Sequence, residues 1–153
     1  MSAQGGWIGV DLDGTLAEYH GWVAPDVIGK PIPLMVDRVK TWLEKGHTVK
    51  IFTARASPEL TDDIRGLAIP AIEAWCKEHI GVILPITCIK DLKMIELWDD
   101  RCVQVVINTG MTIFELEAAK RTEERAARAA SGMAKKQPKH QLAPPLPGYG
   151  RKR

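Results

Sequence analysis

The chain has 153 residues, 45% of them hydrophobic and 26% charged, with a formal net charge of +2. This length supports one ordinary domain, and this composition excludes collagen-like, disordered and membrane-spanning classes for the bulk of the chain. No apolar stretch approaches the roughly 20 residues of a membrane crossing, and the opening MSAQGGWIGV lacks the features of a secretory signal, so a cytoplasmic protein with no membrane partner is expected.

The charge is unevenly placed. Residues 132–153 carry six of the 21 Lys and Arg and no acidic residue, which leaves 1–131 mildly acidic. This tail is rich in Pro and Gly and poor in large apolar groups, so it is expected to be disordered, and its basic charge makes nucleic acid a conceivable partner. The expected organisation is a catalytic domain over 1–131 followed by that tail. Cys76, Cys88 and Cys102 are widely separated and form no CxxC pair, which favours free thiols over a zinc site.

In chain order, WIGVDL at 7–12 reads as a short buried strand running into a tight loop. From Leu34 to Lys45 the apolar residues recur at three and four, between Pro33 and Gly46, as an amphipathic helix with a glycine cap should. HTVKIF at 47–52 is a second strand. Ser57-Pro58 reads as a helix start, and Gly66 and Pro70 predict that the helical stretch up to Gly81 is broken into two pieces. Runs at Pro85–Ile89, Ile95–Trp98 and Val103–Ile107 supply three more strand candidates. The link from Lys90 to Ile95 is too short for a helical crossover. Thr112 and Glu115 form a capping-box signature for a last helix, which also carries the pairs Glu117/Arg121 and Glu124/Arg128. Strands alternating with helices give the expected fold: one Rossmann-like α/β domain, a parallel sheet of about five strands with helices on both faces.

In such sheets ligands gather at the carboxyl ends of the strands. After the first strand comes Asp11-Leu12-Asp13-Gly14-Thr15-Leu16, two carboxylates one residue apart at a turn that Gly14 permits. After the second comes Thr53-Ala54-Arg55, a hydroxyl, backbone N–H groups and a guanidinium able to hold an anion such as phosphate. Lys90 and the pair Asp99-Asp100 complete the set. Four carboxylates at one edge repel one another, and a hard divalent cation with one lysine would relieve them. The bland readings are that Thr53 caps a helix, that Asp99-Asp100 opens one, that Arg55 forms a structural ion pair and that Trp98 packs on the core; His20 and Trp22, in the loop after the first motif, could cover the substrate, with surface packing the favoured explanation.

The DLDGTL run, the Thr53 strand end, the lysine and the Asp99-Asp100 pair resemble, in this order, the four motifs of the haloacid dehalogenase (HAD) superfamily over roughly residues 7–110. The Asp99-Asp100-Arg101 run is particularly similar to small phage and bacterial phosphatases of that family and to polynucleotide kinase 3′-phosphatase domains. The resemblance implies a Mg²⁺-dependent phosphomonoester hydrolase in which Asp11 attacks phosphorus and forms an aspartyl-phosphate. Asp13 would protonate the leaving alcohol and then activate water. Thr53, with Ala54, Arg55 and Gly14, would contact the substrate, and Lys90, in preference to Lys93, would screen the phosphate. Asp11, Asp13, Asp99 and Asp100 would surround the metal.

The intervals between motifs are too short for a large cap domain, so the site should resemble that of capless members, open to a bulky substrate or covered by a neighbouring copy in a homo-oligomer. Two other readings follow: a polynucleotide 3′-phosphatase, and a phosphate-binding module without catalysis. The complete Asp11/Asp13 pair argues against the last.

Overall fold

The computed structural model describes residues 5–131; the basic tail expected at 132–153 lies outside them. The chain divides into two compact units with the boundary between Cys102 and Val103.

The first unit is a Rossmann-like parallel sheet. Its strands are β1 (Trp7–Val10), β2 (Thr48–Phe52), β3 (Ile86–Thr87) and β4 (Met94–Trp98), in the spatial order β3-β2-β1-β4, with every pairing parallel. Helix α1 (Pro33–Glu44) joins β1 to β2, and α2 (Asp62–His79) joins β2 to β3. Both crossovers step the same way along the sheet, which puts both helices on the same face by the right-handed rule. The core agrees: Met35, Val36 and Val39 of α1 and Ile72, Trp75 and Cys76 of α2 share one buried cluster with Ile8 and Val10 of β1 and Val49 and Ile51 of β2.

Neighbouring strand residues point to opposite faces, so Trp7 serves the other side. There its indole N–H donates to Asp91 at 2.8 Å, and the Lys50 ammonium sits 4.2 Å from its ring centroid. Asp91 belongs to the short link between β3 and β4. The expected helices on both faces are therefore corrected for this unit: a short link ending in a turn, with no helix, meets the second face.

Helix α1 starts on Pro33, whose missing N–H costs nothing at that position, and ends before Gly46, which adopts a φ of 81°. Helix α2 departs from expectation twice. It begins after Thr61, whose hydroxyl accepts the Ile64 N–H, whereas the Ser57 hydroxyl accepts the Glu59 N–H in a separate turn. It also continues unbroken through Pro70. The carbonyl that a proline ring would strike four residues earlier belongs to Gly66, and both residues are exposed, so water can serve the freed group.

The sheet has four strands where about five were expected. Val103–Ile107 is the difference: it lies in the second unit and makes only an isolated bridge, Val105 to Thr112, across a turn containing Asn108 and Gly110 at positive φ. Helix α3 (Ile113–Ala130) follows, opened by the expected capping box, with the Glu115 carboxylate accepting the Thr112 N–H at 2.7 Å. The Glu117–Arg121 pair forms at 3.2 Å. Among the described residues no helix is long and apolar enough to cross a membrane.

Candidate active site

Strand order reverses between β1 and β4: the chain steps outward from β1 to β2 and β3, then returns to the far side of β1. A crevice forms beyond the carboxyl ends of strands at such a switch point. Asp11 and Asp99 are the first residues past β1 and β4, and the Asp11 N–H donates to the Trp98 carbonyl at 2.8 Å, which locks the two strand ends together.

The loop after β1 is rigid for an apolar reason. Leu12 and Leu16 are fully buried, and the Leu12 carbonyl accepts the N–H groups of both Leu16 and Ala17. With Leu12 anchored in the core, the flanking carboxylates of Asp11 and Asp13 are left at the rim. Gly14 adopts a φ of 94°, and a Cβ there would come within 2.8 Å of an Asp100 carboxylate oxygen. Glycine is thus required both by backbone angle and by the close approach of Asp100.

Asp11, Asp99 and Asp100 each present one carboxylate oxygen within 4.8 Å of the others. The Thr15 hydroxyl links them, accepting the Asp100 N–H at 3.0 Å and lying 3.5 Å from Asp11 Oδ2. Burial, then the neighbouring Asp99 charge, push the Asp11 carboxyl up to about 7; Asp100 and Asp13 add to the rise and the Leu12 N–H opposes it. Like charges in a half-buried rim destabilise the ionised form. Three hard oxygens in this state fit a hard divalent cation.

Asp13 is not in that triad. Both its oxygens accept from Arg55, from Nε at 2.7 Å and from Nη2 at 2.8 Å. Arg55 is 4% exposed, and its remaining N–H groups donate to the carbonyls of Ala24, Pro25 and Val27. All five donors of the guanidinium are taken, so Arg55 clamps Asp13 and the 24–27 loop and keeps no donor for a substrate. The sequence left open whether Arg55 contacts substrate or forms an ion pair; the geometry places it in the ion pair. A single 3-10 turn, Ala54–Ala56, turns Arg55 inward, capped by Thr53, whose hydroxyl accepts the Arg55 N–H at 3.2 Å.

Thr53 is 2% exposed and lines, with Asp11, Asp13, Ala54 and Asp99, a cavity of about 720 Å³ beside the triad. Cys88 and Ile89 line it too, and Lys90 follows them directly at the same strand edge, exposed and outside the lining. Lys93 lies at the opposite end of the sheet: its carbonyl accepts the N–H of Trp7, the first residue of β1. Trp98 packs on the core as expected, 5.1 Å from Trp42. His20 is exposed and sits 3.8 Å from Glu18. Trp22 stands on the cavity wall with the Arg55 guanidinium 4.9 Å from its ring centroid.

Sequence reasoning gave no role to Thr15, Tyr19 or Leu60. Thr15 was visible inside the DLDGT run, but its bridge to Asp100 spans 85 positions. Tyr19 and Leu60 line the cavity from irregular segments, where periodicity carries no signal.

No family model matches the chain, and no curated protein matches it. Among solved structures, the chain is similar to a conserved protein from Bacteroides thetaiotaomicron, at 21% identity and a TM-score of 0.44, over 76% of this chain and 89% of that one.

Proposed function

We propose that this chain is a Mg²⁺-dependent phosphomonoester hydrolase of the HAD type, acting through an aspartyl-phosphate on Asp11. The observation that carries the reading is the meeting of Asp11, Asp99 and Asp100 at the β1/β4 switch point, beside a cavity walled by Thr53. A binding pocket for phosphate alone gains nothing from three carboxylates at its floor; a nucleophile with a cation site does.

In this reading Asp99 and Asp100, with Asp11, hold Mg²⁺. The ion would neutralise the phosphate charge that otherwise opposes an anionic nucleophile. Asp11 is fixed by the Trp98 backbone and attacks phosphorus through a carboxylate oxygen, so the phosphorus–oxygen bond to the leaving alcohol breaks as the new one forms. Thr53 supplies a hydroxyl to a phosphoryl oxygen. Asp13 takes the acid and base roles: the lone pair that each clamped oxygen retains can carry a proton, which is given to the leaving oxygen and replaced by one taken from the water that attacks the aspartyl-phosphate, while the Arg55 clamp fixes its place. Lys90 swings in from the β3 edge on its flexible stem to meet the phosphoryl charge.

The test is steady-state hydrolysis of p-nitrophenyl phosphate with Mg²⁺ and with EDTA. Wild type should turn over repeatedly only with the metal. Asp11→Asn should abolish turnover while leaving the circular dichroism spectrum unchanged, and an active Asp11→Asn protein refutes the reading.

A further inference from the structure

The cavity next to the carboxylate triad is far larger than a phosphoryl group. At about 720 Å³ it lies within the roughly 300–1,000 Å³ of sites that enclose a whole small-molecule ligand. If the hydrolase reading holds, the surplus volume belongs to the leaving group, and the walls define its chemistry.

Two aromatic rings stand on those walls from the loop after β1, Tyr19 and Trp22. Trp22 is 52% exposed, so much of its ring surface is open. It is also held in place: the Arg55 guanidinium packs 4.9 Å from its ring centroid, and that guanidinium is itself buried and anchored by all five of its donors. The Arg101 guanidinium lies 6.0 Å from the Tyr19 ring centroid. The same lining carries the apolar Pro58, Leu60 and Ile89 as well as the charged Glu59 and Arg101. A held, half-exposed indole on a cavity wall is a ready stacking surface, and stacking requires no movement of the loop.

From this placement we propose that Trp22 and Tyr19 form a stacking subsite for the leaving group, and that the preferred substrates are phosphomonoesters of flat aromatic alcohols over those of alkyl alcohols. The subsite rests on the hydrolase reading for its use in turnover, but its binding can be measured without chemistry.

Benzylphosphonate and n-propylphosphonate, neither of which can be hydrolysed, are titrated into the Mg²⁺-loaded protein by calorimetry. Wild type should bind the benzyl compound about tenfold tighter, in keeping with one aromatic stacking contact added to the ring's burial. Trp22→Ala combined with Tyr19→Ala should bring the two within about twofold, and Trp22→Phe should keep most of the preference, so loss of fold cannot mimic the result. Equal affinities in wild type, a preference that survives the double variant, or no binding of either compound overturns the subsite. Turnover of benzyl phosphate is measured alongside: selective benzylphosphonate binding without any turnover supports the subsite and fails the hydrolase reading alone.

Discussion

Arg55 holds both carboxylate oxygens of Asp13, 42 residues earlier in the chain, at 2.7 and 2.8 Å, while its other N–H groups secure the carbonyls of Ala24, Pro25 and Val27. One buried side chain thus fixes an acidic group of the site, the loop between β1 and α1, and the orientation of Trp22.

Removing that guanidinium should be costly. Arg55→Met strands Asp13 and three carbonyls, and breaking a buried pair from one side costs about 3–5 kcal/mol. Arg55→Lys should recover little of it, because three rotatable donors cannot serve five fixed acceptors. Arg121→Met, which breaks only an exposed pair with Glu117, should change stability by no more than about 1 kcal/mol. Urea denaturation of the three variants checks the ranking.

Stability without metal should depend on Asp11. Its carboxyl is raised from an ordinary 3.8 to about 7 in the folded protein, so between these values the folded state binds the proton that the unfolded state has released. The stabilising contribution is complete below the lower value and is lost as pH rises through the upper one. After allowance for solvent screening the loss should be about 1–2 kcal/mol, a fall in melting temperature of several degrees. Thermal melts in EDTA from pH 5 to 8, wild type against Asp11→Asn, should show the variant with the shallower decline. Mg²⁺ should restore wild type at pH 8 and do little for the variant.

The two candidate lysines are separated by geometry. Lys90 follows the cavity-lining pair Cys88 and Ile89, whereas Lys93 sits at the start of β4, at the sheet's opposite end. Lys90→Met should lower kcat by about 100-fold or more, as loss of one charge-stabilising donor does. Lys93→Met should leave it within about twofold. Initial rates with p-nitrophenyl phosphate decide between them.

The thiols should fall into two classes. Burial pushes the Cys76 thiol up to about 11, while Cys88 is half-buried on the cavity wall and Cys102 is exposed. A thiolate is the reacting form, so Ellman's reagent at pH 8 should titrate two thiols in the native protein and the third only after unfolding.

Strand β1, helix α1, β2 and the capping box of α3 were legible from sequence because each is written in local terms: an apolar run, a three-and-four stripe, a cap three residues from its partner. Asp11, Thr53 and Asp99 could be singled out for a related reason, since each directly follows an apolar strand, and Asp13 lies two positions past Asp11. What local pattern could not carry was pairing. Val103–Ile107 has the composition of a strand, yet forms only a bridge to Thr112, because a strand exists by virtue of its neighbour. Pro70 reads as a break, yet the helix runs through it, with Pro70 and Gly66 on an exposed face where water can serve the freed carbonyl.

The sequence by itself determined which groups were available, acidic side chains and a hydroxyl at the ends of apolar runs, since hydrophobic burial dictates where strands stop. Only the tertiary structure decided how those groups are shared out: Asp11 with Asp99 and Asp100, Asp13 with Arg55, Trp22 against that same guanidinium. Such partnerships join residues dozens of positions apart, and they are fixed by the order of strands in the sheet and the few ångströms within which charges and hydrogen bonds act.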